Sequence, residues 1–344
     1  MKLAKWLAPI LTSSLVIASG SFGLVGCDKT EEPEQTYEQF IYDRTFSLFA
    51  FQVIEVGPES YVYGDGVFGT GWIIDDATPE IKNDYIYHVA TNWHVIAGFD
   101  HLFYEPVEEG TYVATMYAYA DSSLSSDSSQ IIDFRKYVSL GYEDEGFYQK
   151  EEDFHTFMDV PYEPPYTGID LYEADINFNS VDNWAKTYPK IKAKLDRLNQ
   201  YRTKHGYINK FVCADKQEIQ DKKKYTGGYP YKNNPQTQTM GGRWETHQID
   251  FDLYYAEAGE FNHTVQLEGY EINDKSPQYY TETNMGPDWM TGGASGSMLL
   301  TEDYEICGIY WGGWGNWLDP DIFYPSFSLF NTTNRNYLEK YIHN

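Results

Sequence analysis

The sequence predicts a mainly β protein of antiparallel barrels or sandwiches, and three observations predict it. Nine short segments, 45–56, 69–75, 84–96, 111–120, 168–178, 247–258, 262–272, 297–301 and 304–314, are rich in Val, Ile, Tyr, Phe, Trp and Thr, and many alternate apolar with polar positions. Gly, Pro, Asn and Asp cluster between them, as turns require. No regular strand-then-helix alternation appears, which disfavours a doubly wound parallel sheet. A two-barrel protein would consist of two similar six-stranded halves, a symmetry that a sequence need not display.

The chain divides before the fold begins. Lys2 and Lys5 supply a positive start, and Trp6 to Val25 form an apolar stretch interrupted by Ser and Gly, too short to span a bilayer comfortably. It ends in Leu24-Val25-Gly26-Cys27, which resembles a bacterial lipobox. That resemblance implies removal of the signal and lipidation of Cys27, so that two acyl chains hold the protein on the outer face of the cell membrane. Residues 28–37 are charged and poor in apolar side chains and read as a flexible tether. The expected division is a signal at 1–27, the tether, an N-terminal barrel at 38–180, a basic helical insertion at 181–245 and a C-terminal barrel at 246–344.

One long helix is expected over about Val181 to Lys204, where Trp184, Ile191, Leu195 and Leu198 recur at helical spacing, with Pro189 either in a first turn or at a kink. A shorter one is expected over about Asn334 to Ile342, after the cap-like Asn331-Thr332-Thr333-Asn334. The polar, acidic stretch 121–167 reads as long surface loops.

The formal net charge is −27, which argues against nucleic acid or anionic lipid as the natural partner. The balance is uneven: Val181 to Arg243 holds 14 of the 25 basic residues and 5 of the 52 acidic ones. This positive island reads either as a docking surface or as a solvated helix face. Beyond the lipobox the cysteines are Cys213 and Cys307, and both a bridge and two buried thiols are consistent with an extracellular location. No CxxC, HExxH or calcium-loop pattern occurs, so neither a structural metal nor a cofactor is expected.

The chemistry centres on Gly292-Gly293-Ala294-Ser295-Gly296-Ser297, a small-residue turn before an apolar run. A serine hydroxyl is inert near neutral pH unless a base takes its proton and a third group orients that base. His94, where a β run gives way to a loop or short helix, is the candidate base; His88, six residues earlier, is the more enclosed alternative. Asp170, at the start of an apolar strand, is costly to bury unless it accepts hydrogen bonds, and a histidine N–H is a natural donor. Asp175, on the opposite face, is its alternative.

Five stretches in order carry a resemblance: 69–74 (GTGWII), 90–94 (ATNWH), 168–171 (GIDL), 293–296 (GASG) and 306–313 (ICGIYWGG). Together they resemble the trypsin/chymotrypsin-like serine peptidases, whose chain order is also His, Asp, Ser. The lipobox with Arg44-Thr45-Phe46-Ser47, GTGW and TNWHV is similar to a narrower group, the mycoplasma lipoprotein peptidases related to the mycoplasma immunoglobulin protease.

The resemblance implies two antiparallel six-stranded β-barrels with a helical insertion between the halves and a short C-terminal helix. His94 would be the general base, Asp170 its orienting carboxylate and Ser295 the nucleophile. The N–H groups of Gly293 and Ser295 would bind the oxyanion, worth roughly 3 kcal/mol per donor. Trp289 and the strand residues Gly308, Ile309, Tyr310 and Trp311 would contact substrate. Three positions depart from the family pattern. Ala294 replaces the Asp before the serine, Ser297 replaces a second Gly, and Trp289, beside Asp288, stands where a trypsin-like pocket has its floor Asp. A filled or shallow first pocket is therefore expected in place of preference for Arg or Lys.

The function expected is that of a lipid-anchored extracellular serine endopeptidase acting on protein substrates, host immunoglobulins among the candidates, with a substrate-presenting partner protein as a further possibility. The alternative is a non-catalytic surface lipoprotein or adhesin that keeps the fold, to which the 17% aromatic content would lend binding surface. A solute-binding lipoprotein would need alternating strands and helices, which the sequence lacks.

Overall fold

The structure is a computed structural model that describes residues 35–57, 60–77, 80–81, 85–96, 98, 111–113, 117–119, 131–133, 169–180, 183–212, 216–230, 244–260, 263–267, 270–286, 289–290, 292–314, 323–332 and 335–336. The lipobox, Gly168, Cys213 and Asp288 lie outside the described residues. Thr36–Asn344 form one compact unit.

Two antiparallel sheets dominate, as the alternating segments predict. The first contains β1 (Thr45–Gly57), β2 (Ser60–Asp76), β3 (Ile86–Thr91), β4 (Thr111–Val113), β5 (Tyr117–Tyr119), β6 (Ile131–Asp133) and β7 (Tyr172–Asn177) in the order β6-β5-β1-β2-β3-β7, with β4 also on β1. The second contains β8 (Lys210–Phe211), β9 (Lys224–Gly228), β10 (Glu245–Ile249), β11 (Tyr254–Ala256), and, past a separate hairpin of β12 (His263–Leu267) and β13 (Tyr270–Asp274), β14 (Gln278–Tyr280), β15 (Met298–Thr301), β16 (Glu305–Trp314) and β17 (Tyr324–Leu329). Its order is β10-β9-β15-β16-β17-β14-β11, with β8 beside β16. Only residues 250–253 separate β10 from β11, so the two ends of this sheet must curl toward each other.

Among the described residues the sheets have seven and eight strands where six each were expected, and β8 pairs with β16 in parallel. Several of these strands are two- and three-residue pieces. The stretch 181–245 is also not all helical insertion, because β8 and β9 join the second sheet from within it. Of 121–167, β6 pairs with β5, and the remainder lies outside the described residues.

The long helix is broken at Tyr188. Trp184–Thr187 form one turn, and Pro189 opens Pro189–His205 at its first position, where a missing N–H costs nothing. The helix stops at Gly206, whose φ of +85° is cheap for glycine. Its apolar stripe of Ile191, Leu195 and Leu198 is fully enclosed. A helix at Tyr37–Arg44, capped by the Thr36 side chain, starts at the last residue of the expected tether. At the other end, Arg335–Asn336 pair with Asn331–Thr332 as strands, and the rest of the helix expected over about Asn334 to Ile342 lies outside the described residues.

Two buried clusters anchor the site. Phe40 and Ile41 of the first helix, Trp72, Ile74, Ala90, Ile169 and Leu171 of the first half, and Met298, Leu300, Ile306 and Ile309 of the second pack together. A second cluster holds Leu299, Cys307, Tyr310, Phe327, Trp289, Met290 and Ala294. Strands β15 and β16 are buried on both faces, which is why they read as continuous apolar runs. Cys307 is a free, enclosed thiol, pushed up to about 12 by burial.

Several basic residues of the positive island are taken up by partners in the body of the protein. Arg197 holds the buried Asp43 through two nitrogens, at 2.9 Å and 2.7 Å to Oδ1, and Arg202 pairs with Asp76. Lys194 is enclosed by Tyr42, Phe46 and Tyr229 and donates to the Thr45 carbonyl. Lys222 pairs with Asp303 and Glu305.

Candidate active site

Strand β3 ends at Thr91, and a single helical turn at 93–96 follows, with Val95 N–H bonded to the Asn92 carbonyl. This turn carries His94. Its backbone N–H donates to Asp170 Oδ1 at 3.0 Å, and its ring Nδ1 lies 2.6 Å from Asp170 Oδ2. A carboxylate accepts, so the proton sits on Nδ1 and the lone pair on Nε2 faces away from the aspartate. Asp170 is fully buried, and the two bonds to His94 offset the cost of burying its charge. Asn92 Nδ2 donates to the Asp170 carbonyl at 2.7 Å and fixes the backbone that carries the carboxylate.

His88 is half-buried within β3, opposite Asp175 of β7 in the ladder. The strand ends between His88 and His94, so the even spacing that would align them on one face does not apply. The structure therefore brings together His94 and Asp170.

Ser295 sits on a turn whose shape is dictated by its neighbours. Gly293 has φ +91° and Gly296 φ +95°, a region that L side chains avoid. A methyl group on Gly296 would also strike the Thr70 carbonyl and the Thr91 side chain. Thr70, on β2 of the other sheet, clamps the turn: its N–H donates to the Ser295 carbonyl at 2.7 Å and its hydroxyl to the Gly293 carbonyl at 3.0 Å. Thr91, beside the His94 turn, donates to the Thr70 carbonyl at 2.8 Å. A continuous chain of hydrogen bonds thus ties the His94 segment to the Ser295 segment across the two sheets.

The Ser295 hydroxyl donates to the Trp311 carbonyl at 3.2 Å. Among the described residues, the N–H groups of Gly293 and Ser295 donate to no backbone acceptor. Ser297, in place of a second glycine, donates its hydroxyl to the Ala294 carbonyl at 2.6 Å and tightens the same turn. Ala294 points into the second cluster and is fully enclosed.

The residues expected to contact substrate lie deeper than anticipated. Ile309 and Tyr310 are fully buried, and Trp289 and Trp311 nearly so. Gly308 is a ladder residue, paired with Leu299 and Leu329. Trp289 packs against the rings of His247, Phe251 and Tyr310 at 5.4, 5.6 and 5.8 Å, and the Tyr310 hydroxyl donates to the Met290 carbonyl. Aromatic side chains therefore pack together around Trp289, in the buried cluster that also holds Ala294 of the Ser295 turn. Thr70 and Asn92 stand in the GTGW and ATNWH motifs, but neither string shows what the side chain holds.

Among the described residues, no cluster of three or more His, Cys, Asp or Glu could hold a metal ion, and no helix is long and apolar enough to cross a membrane.

The family model described as Mycoplasma immunoglobulin protease matches residues 34–131. No curated protein sequence matches the chain. Solved structures that are similar include a thermostable serine protease from an extremophilic microorganism (10% identity, 88% of this chain and 99% of that one, TM-score 0.38) and the protease Anisep from Arthrobacter nicotinovorans (10%, 85% and 92%, 0.38). The mycoplasma MIB and MIP proteins are similar at 12% identity over 78% of this chain and 53% of that one, with TM-score 0.39. The resemblance carried by the motifs and the family match over residues 34–131 thus fall on one group, the mycoplasma immunoglobulin protease and its trypsin-like relatives.

Proposed function

We propose that the chain is a serine endopeptidase held on the outer face of the cell membrane through lipidated Cys27, acting on protein substrates. The observation that carries the reading is the bidentate grip of buried Asp170 on His94, at 3.0 Å and 2.6 Å, hydrogen-bonded through Thr91 and Thr70 to the turn that bears Ser295.

In the proposed reaction Ser295 Oγ leaves the Trp311 carbonyl and turns to His94 Nε2, a rearrangement in line with the loose catalytic hydrogen bonds common in substrate-free sites. Nε2 takes the hydroxyl proton as Oγ attacks the scissile carbonyl. The oxyanion is received by the N–H groups of Gly293 and Ser295, and His94 then passes its proton to the departing amine. Water, deprotonated by the same nitrogen, hydrolyses the acyl-enzyme and regenerates Ser295. Asp170 stays ionised and stabilises the imidazolium. The filled space around Trp289 and Tyr310 favours a small side chain in the first subsite. An immunoglobulin substrate is suggested by the family name alone.

A fluorophosphonate probe tests the reading. Covalent labelling of the wild type that disappears in Ser295→Ala is expected. Folded wild type that resists the probe, with candidate substrates present, would leave the non-catalytic surface lipoprotein as the better account.

A further inference from the structure

Behind Asp170 lies a second buried carboxylate, Asp274, at the end of β13. It is fully enclosed, and each of its oxygens accepts two hydrogen bonds. Oδ1 accepts the Ser276 N–H at 2.8 Å and the Ser276 hydroxyl at 2.6 Å. Oδ2 accepts the backbone N–H of Asp170 at 3.0 Å and the Ser328 hydroxyl at 2.5 Å. Gln278 completes the set. Its Nε2 lies 3.0 Å from Ser276 Oγ and 3.2 Å from Ser328 Oγ, and its Oε1 accepts the Trp311 indole N–H at 2.8 Å.

The shortest contacts define one arrangement of protons in this cluster. An indole N–H can only donate, so Gln278 presents its oxygen to Trp311 and its N–H bonds to the two hydroxyls, with the Ser276 carbonyl a longer acceptor at 3.3 Å. The hydroxyls donate at their shortest contacts, to Asp274, with Gln278 Oε1 a longer acceptor for Ser328 at 3.3 Å. The two backbone N–H groups also only donate, so all four bonds point at the carboxylate, the pattern an ionised group accepts. Burial, together with the neighbouring Asp170 charge, holds the Asp274 carboxyl above the usual carboxylate range, and the bonds from Ser276, Ser328 and the Asp170 N–H oppose that shift. A buried polar network with every member satisfied in a single arrangement holds its backbone attachments rigidly.

Those attachments are the two ends of the site. One end is the peptide of Asp170. The other is Trp311, whose carbonyl holds the Ser295 hydroxyl. We infer that Asp274, oriented by Gln278, Ser276 and Ser328, is a positioning residue that fixes the Asp170 backbone relative to the Trp311 strand and so sets the geometry among Asp170, His94 and Ser295. This rests on the reading of those three residues as a catalytic triad. Asp274 touches neither substrate nor reacting atoms; it acts through Asp170.

The test is Asp274→Asn. The amide has the same shape, but whichever oxygen becomes NH2, a donor meets the backbone N–H of Asp170 or of Ser276. The fluorophosphonate labelling rate is expected to fall about tenfold to a hundredfold, the range that one or two misplaced buried hydrogen bonds imply. The far-downfield proton resonance of His94 Nδ1–H against Asp170 is expected to shift with it. Ser328→Ala removes one donor of four, is milder for folding, and should slow labelling about threefold to tenfold. Asn199→Ala deletes a comparably buried polar side chain elsewhere, one that accepts from the Tyr87 hydroxyl, and serves as the control. It should lower the melting temperature and leave labelling unchanged. Wild-type rate and resonance in Asp274→Asn, or in Ser328→Ala should the first not fold, overturn the inference and leave the triad standing. Equal slowing in Asn199→Ala overturns it as well, because the effect would then be general softening. A wild type that the probe does not label removes the triad reading itself, and this inference with it.

Discussion

Thr70→Val is the sharpest test of how the two halves of the site are held in register. The substitution keeps shape and volume, removes one hydroxyl, and leaves the backbone bonds from Thr70 N–H to the Ser295 carbonyl and from Thr91 to the Thr70 carbonyl intact. Two groups lose their partner: the Gly293 carbonyl, 3.0 Å from the hydroxyl, and the Tyr229 N–H, which donates to it at 2.9 Å. Tyr229 and Gly293 are buried, so water cannot replace the hydroxyl readily. Leaving a buried polar group unsatisfied costs roughly 1–3 kcal/mol, more for an N–H with one bond to make than for a carbonyl with two lone pairs, so a total of roughly 2–4 kcal/mol is expected. At roughly 2 °C per kcal/mol for a chain of this size, the melting temperature should fall by roughly 4–8 °C. The fluorophosphonate labelling rate of the still-folded protein should drop about tenfold as the Gly293 peptide loosens. Calorimetry and a labelling time course measure both. A variant that melts with the wild type and labels at the wild-type rate would show that the hydroxyl holds nothing, and the clamp would have to be withdrawn.

Two further outcomes follow from the packing. Trp289→Ala empties the aromatic cluster next to the nucleophile turn at a cost of roughly 3–5 kcal/mol. A peptide-library digest should then show bulky apolar side chains gaining in the first subsite over small ones, and an unchanged preference would mean that Trp289 does not border that subsite. Arg197→Ala leaves the buried Asp43 carboxylate without its bidentate partner. The half-exposed guanidinium is partly screened, so a loss of roughly 1–3 kcal/mol in chemical denaturation is expected; unchanged stability would return the positive island to the role of a docking surface.

The parts of the fold that could be read in the sequence are those where one physical signal dominates. The segments 45–56, 69–75 and 304–314 became long strands because β-branched and aromatic residues alternate or run continuously across whole ladders. Pro189 had one position compatible with a long helix, its first, and took it. The two- and three-residue strands β6 and β8 were not separable from their surroundings, since they exist through their partners and carry too few residues for a pattern. The helix at Tyr37–Arg44 was hidden by charge: it sits in a polar stretch, and only Phe40 and Ile41, packed against both halves, reveal its purpose.

The site divides along the same line. Gly293 and Gly296 were legible because their positive φ admits almost no other residue, and Ser295, His94 and Asp170 because their local strings resemble those of the trypsin-like peptidases. What positions them was not legible. Asp274 lies 104 residues from Asp170, Ser328 a further 54 residues on, and Thr70 more than 220 before Gly293. Of these only Thr70 stands in a motif, GTGW, and each is a polar residue of a common turn or strand type whose meaning arises only when the sheets close around it. A hydrogen-bond partner is chosen by three-dimensional proximity and by the cost of leaving a buried donor unmet, and neither leaves a local mark on the chain. Sequence can thus nominate a reacting group, whose chemistry restricts its type and neighbours, far more readily than a supporting group. A substitution at Asp274 is accordingly expected to impair the site without touching any residue that a motif would flag.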